Sequence, residues 1–141
     1  MQVNQDNDFS SHSIRAYQPG EIIVTLPPAA DLETAQPVEL ETLTGSFVIS
    51  PRHLIRGWPP MTIESLLSEH LETLLELQPE VVLLGTGQSL QFPESGILAK
   101  LHNQQLGVEI MDTAAACRTY NILMMEGRFV VAGLLNPGKE S

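Results

Sequence analysis

Cysteine is almost absent from this chain. Of 141 residues only Cys117 is a cysteine, which excludes an intrachain disulfide and leaves nothing that points to an oxidising compartment. Basic residues are scarce too: 7 Lys and Arg stand against 17 Asp and Glu, a net charge of −10. A surface that acidic repels phosphate backbones and anionic headgroups, and Arg15, Arg52, Arg56, Lys100, Arg118, Arg128 and Lys139 form no basic run. Nucleic acid is therefore not expected as a partner. Arg52 and Arg56 are the nearest approach to a basic pair. No apolar run reaches the roughly 18 residues of a membrane-spanning helix. The first thirteen residues, with Asp6 and Asp8 and no apolar stretch, read neither as a signal peptide nor as an Arg-rich transit peptide. A cytoplasmic location is expected, with membrane contact at most peripheral.

Catalytic and metal signatures are missing as well. His12, His53, His70 and His102 have no metal-ligand spacing with one another or with Cys117, and neither Gly-x-Ser-x-Gly nor a Gly-Lys-Ser/Thr phosphate loop occurs. No metal or other cofactor is expected, and the balance of the sequence is against an enzyme.

What is present is the composition of a folded domain, 43% hydrophobic and 17% charged, at a length that buries a core without disulfides or a structural metal. One α/β domain is expected over residues 13–135, between loose tails at 1–12 and 136–141. Ser13 to Tyr17 and Ile22 to Val24, parted by Pro19-Gly20, read as paired strands, and residues 38–50, turning at Thr44-Gly45 and ended by Pro51, read as a hairpin. Ile63, Leu66, Leu67, His70, Leu71, Leu74 and Leu75 then follow helical spacing opposite a Glu-rich solvated face, with Thr62 as N-cap and Pro79 as the stop. Val81 to Leu84 is an apolar run typical of a buried parallel strand. A short helix from Pro93 to about His102, a strand at Val108 to Met111, a helix from Thr113 to Glu126 with Gly127 at C′, and a strand from Arg128 to Leu135 complete a βαβαβ half.

Leu84-Gly85-Thr86-Gly87, then Phe92-Pro93, then the run from Gly107 through Met111-Asp112-Thr113 and Cys117-Arg118-Thr119-Tyr120-Asn121 to Leu123, and finally Gly127-Arg128, carry a likeness over residues 13–135. The chain resembles a family of small domains of unknown function that includes the mitochondrial complex I (NADH:ubiquinone oxidoreductase) assembly factor 3 and uncharacterised bacterial and archaeal proteins. The resemblance implies a mixed sheet with helices packed on it and a hammerhead-like β arrangement in the first half. It also implies a non-enzymatic role in binding or assembling other proteins.

Four places carry candidate sites. Gly85-Thr86-Gly87 follows an apolar strand, where open α/β sheets hold ligands, but Leu90 stands where a dinucleotide fingerprint needs a small residue. The loop is either a plain exit from the sheet or, with Thr113, a cradle of N–H groups for a small anion. The helix after Thr113 is apolar on nearly every side and should be largely buried, which makes Arg118 and Asn121 the anomaly. They either tie the helix down internally or form an anion or partner site beside that loop. Cys117 has no histidine near it in sequence and reads as a packed thiol. Trp58, between Gly57 and Pro59-Pro60, is either an exposed anchor for a protein partner or a plug under the Arg52 to Pro60 loop.

Overall fold

Val81 to Gly85 has no polar face to offer water, and it is satisfied only inside a sheet covered on both sides. A computed structural model, which describes residues 11–27 and 38–138, places it there, every residue buried. In chain order the elements are β1 (Ser13–Gln18), β2 (Glu21–Leu26), β3 (Glu39–Leu43), β4 (Phe47–Ile49), β5 (Leu54–Arg56), α1 (Ser68–Leu75), β6 (Val81–Gly85), α2 (Ser95–His102), β7 (Gly107–Met111), α3 (Thr113–Met125) and β8 (Val130–Leu134). They make an antiparallel sheet in the order β1-β2-β3 and a mixed sheet in the order β5-β4-β8-β6-β7. In the mixed sheet β6 runs parallel to β7 and β8, and β4 runs antiparallel to β5 and β8. This is the expected α/β domain with a β-rich first half and a βαβαβ second half.

Alternation along the central strands divides the core in two. Val81, Leu83, Val130, Ala132, Phe47 and Ile49 face α3 and the small sheet, meeting Ile22, Val24, Ala116, Cys117 and Tyr120. Val82, Leu84, Val131 and Val48 face the opposite way, against Trp58, Leu66, Leu71, Leu74, Ile97 and Leu101. Leu71 and Leu74 are fully buried, a gain of about 1.5–3 kcal/mol each over exposure.

Four expectations are corrected. Residues 38–50 are not a hairpin: β3 pairs with β2 in the small sheet, whereas β4 pairs with β5 and β8 in the large one. All three residues of β4 are buried, so the strand needs cover on both faces, which only the large sheet supplies. Asn136 fixes the crossing, its amide nitrogen donating to the Leu43 and Gly45 carbonyls and its backbone N–H to Ser46 Oγ. Asn136 is thus 2% exposed and part of the domain, not of a loose tail, and Ser11 near the other end is also buried. Residues 1–10 and 139–141 of the two expected tails lie outside the described residues.

The helix expected from Ile63 is two pieces, a 3-10 turn at Ile63–Ser65 and then α1. Leu66 and Leu67 are extended, and His70 Nδ1 accepts the Leu67 N–H at 2.9 Å, which starts a new helix where the spacing showed continuity. Lastly, α3 buries one face only, Thr113, Ala116, Cys117, Tyr120 and Met124, while Ile122 is 57% exposed.

Candidate functional site

The carboxyl ends of β6 and β8 and the start of α3 meet at one side chain. Thr113 is fully buried; its hydroxyl donates to the Leu135 carbonyl at 2.7 Å and accepts the Gly87 N–H at 2.8 Å. Its own N–H donates to the Gly87 carbonyl, the Thr86 N–H to the Met111 carbonyl, and the Leu135 N–H to the Gly85 carbonyl. The Thr86 hydroxyl donates to the Ser89 carbonyl and accepts the Gln91 N–H. A Cβ on Gly85 would stand 2.9 Å from both Leu134 Cδ2 and Thr113 Oγ1, so glycine is required here for close approach.

Gly85, Thr86 and Gly87 are all buried, and the N–H groups of Thr86 and Gly87 are already engaged. The loop is a closed joint between three elements, the plainer of the two alternatives the sequence offered, with these two N–H groups bonded within the chain. The Asp112 carboxylate caps α3 by accepting the Ala115 N–H at 2.8 Å.

Arg118 is exposed, so the buried cation that the apolar helix implied does not exist. Asn121 clamps α3 to β1: its Oδ1 accepts the Ile14 N–H at 2.9 Å and its Nδ2 donates to the Ile14 carbonyl at 2.8 Å. Tyr120 adds a second tie, its hydroxyl donating to the His12 carbonyl. Burial pushes the Cys117 thiol up to about 12, against the pull of Arg118 and with a smaller push from Asp112, so it stays protonated at neutral pH and is no nucleophile.

Trp58 is 3% exposed and cannot serve as a surface anchor. Its indole N–H donates to the His70 carbonyl at 3.2 Å, and its ring stands edge-on to the His70 ring at 6.4 Å. A Cβ on Gly133 would come within 2.6 Å of the indole, so the ring lies against the bare backbone of β8. It is the plug under the loop.

The exposed features lie elsewhere. A cleft of about 560 Å3 opens between the 3-10 turn, the start of α1 and the segment entering α2, where Leu67 is 51% and Phe92 is 64% exposed. Glu64 and Glu94 line it and no cation does. Sequence reasoning missed this cleft because Leu67 was counted on the buried face of a continuous helix; the readable signal was Phe92, a large apolar residue in a polar loop. The supposed Arg52/Arg56 pair separates, since Arg56 forks onto Glu41 at 2.6 and 2.7 Å, joining β5 to β3. The same hydrogen bonds hold the Glu41 carboxyl below its usual range and raise Arg56. Burial lowers His12, opposed by its hydrogen bond to the Thr25 carbonyl and aided by Arg56 and His53. Among the described residues no group of three or more His, Cys, Asp or Glu is placed to hold a metal ion, and no helix is long and apolar enough to cross a membrane.

Residues 29–135 match the model of a family described as "Protein of unknown function (DUF498/DUF598)". The chain is 31% identical over 106 residues, 71% of its length, to a rat (Rattus norvegicus) protein named NADH dehydrogenase (ubiquinone) 1 alpha subcomplex assembly factor 3, covering 57% of that protein. It is 35% identical over 68 residues, 48% of its length, to the 13 kDa major membrane protein of Francisella tularensis, covering 55% of that protein. It therefore spans only about half the length of these curated relatives. The NMR structure of a Xanthomonas campestris protein superposes with a TM-score of 0.73 at 32% identity, covering 99% of this chain and 93% of that one.

Proposed function

The chain belongs to the DUF498/DUF598 family, and from that premise we propose that it acts by binding a protein partner during the assembly of a larger complex, without catalysis. The observation that carries this reading is its 31% identity over 106 residues to a protein named as an assembly factor of NADH dehydrogenase. A feature of the described surface supports the reading. The Leu67 and Phe92 cleft exposes apolar side chains between Glu64 and Glu94, and it suits a segment that presents an apolar residue flanked by Lys or Arg. A cytoplasmic location with peripheral membrane contact belongs to the same reading; the name of the Francisella relative supports the membrane contact. The competing reading, a small-molecule binder or enzyme built on Gly85-Thr86-Gly87 with Arg118 and Asn121, has less support. The donors it needs are engaged internally, and Asn121 is bound to Ile14.

The test is crosslinked affinity capture of the tagged protein from its own host, with detergent-solubilised membranes included, beside the double variant Leu67→Glu/Phe92→Glu. Specific subunits of one complex should be recovered reproducibly, crosslinked to residues 63–68 and 92–97, and lost from the folded variant. No reproducible partner would overturn the binding reading. A partner retained by the variant would overturn the cleft alone.

A further inference from the structure

A second cavity, of about 430 Å3, lies between the turn after β4, the end of α3 and the start of β8. Pro51, Met124 and Phe129 give it apolar walls, and Arg52 and Arg128 line it, with no Asp or Glu among the described lining residues. We propose that this cavity binds a small organic anion, an oxyanion head on an apolar body, with the head held by Arg52 and Arg128. The site is separate from the Leu67 and Phe92 cleft, and the proposal stands whether or not the protein-binding reading does.

Charge is the first argument. The chain has only seven Lys and Arg against 17 acids, yet the fold brings two of the seven, distant in sequence, to one cavity. Arg52 makes no ion pair among the described residues. Arg128 reaches Glu80 only at 3.6 Å, through Nε, while the same Glu80 oxygen accepts the Phe129 N–H at 2.8 Å. Both guanidinium groups thus keep donors for a carboxylate or phosphate, the oxyanions whose geometry matches the guanidinium fork.

The apolar wall selects for an organic anion. Pro51, Met124 and Phe129 line the cavity, and a bare inorganic ion would make no use of that apolar lining. The volume falls in the range of about 300–1,000 Å3 usual for small-molecule pockets. The negative end of α3 also points here and would repel an anion. That repulsion is reduced because the Ile122, Leu123 and Met124 carbonyls already accept the N–H groups of Glu126, Arg128 and Gly127.

The experiment is a titration of the 15N-labelled full chain, followed by amide shifts, with octanoate and octyl phosphate. Inorganic phosphate and octyltrimethylammonium serve as controls. At least one amphiphilic anion should give saturable shifts at Arg52, Gly127, Arg128 and Phe129, with a Kd below about 1 mM; the tighter of the two identifies the head group. Arg52→Gln, at an exposed turn position, should keep the native spectrum and bind about tenfold more weakly, as should Arg128→Gln. The proposal is overturned if neither anion saturates these amides, if the cation or inorganic phosphate binds equally well, or if folded Arg52→Gln binds like the wild type.

Discussion

Replacing Thr113 by valine keeps the shape of the side chain and removes its hydroxyl, which bridges Gly87 and Leu135 in the joint between β6, α3 and β8. In the native protein that hydroxyl serves the Gly87 N–H and the Leu135 carbonyl at 2.8 and 2.7 Å, and Thr113 has no solvent exposure. Valine strands one buried donor and one buried acceptor, at about 1–3 kcal/mol each, so Thr113→Val should lose about 2–6 kcal/mol. That is a large share of the roughly 5–15 kcal/mol typical of a domain. At about 4 °C per kcal/mol for this size, Tm should fall by about 8–24 °C. Thr113→Ser keeps both hydrogen bonds and gives up one methyl, about 0.8 kcal/mol. Urea titrations of the three proteins supply the free energies, with unchanged m-values required for the comparison, and hydrogen exchange at Gly87 reports the joint itself. If Thr113→Val lies within about 0.5 kcal/mol of the wild type, or if serine is as harmful as valine, the closed-joint account is wrong.

Two further outcomes follow from named contacts. Gly133→Ala would set a Cβ 2.6 Å from the rigid Trp58 ring, so it should lose about 1–3 kcal/mol or more and shift the tryptophan emission; Gly45→Ala, with nothing within 4 Å, should be close to neutral by the same urea titration. His12 titrates below its ordinary value of 6.5 in the folded chain, chiefly through burial, so the unfolded chain binds more protons between the two values. Its contribution is therefore fully present above about pH 6.5 and lost as pH falls through 6.5 toward the lower folded value. His12→Asn should flatten that part of the stability profile measured by urea unfolding between pH 7.5 and about 5.

The elements that were legible in the sequence are those whose signal is local. Val81 to Leu84 announced a doubly covered strand because an unbroken apolar run has no other stable place, and Gly127 marked the end of α3 because a C-cap is chosen by the backbone of the same turn. Where the reading failed, a distant group had intervened. His70 captures the Leu67 N–H and divides one expected helix into two pieces, and Asn136 pins the segment that sends β4 into the other sheet. The candidate residues depended on distant groups in the same way: Trp58, Thr113 and Asn121 hydrogen-bond to His70, Gly87 and Ile14.

By itself, then, the sequence determined an acidic α/β domain, the order of most of its elements, and a family. Hydrophobic period, turn residues and net charge are properties of neighbours or of sums, and they need no fold to be read. Only the tertiary structure decided which polar groups meet. Whether Gly87 offers its N–H to a ligand or to Thr113, and whether Arg52 stands beside Arg56 or Arg128, depends on contacts between residues far apart in the chain. Those contacts are fixed by packing of the two cores, which one-dimensional patterns do not encode pair by pair.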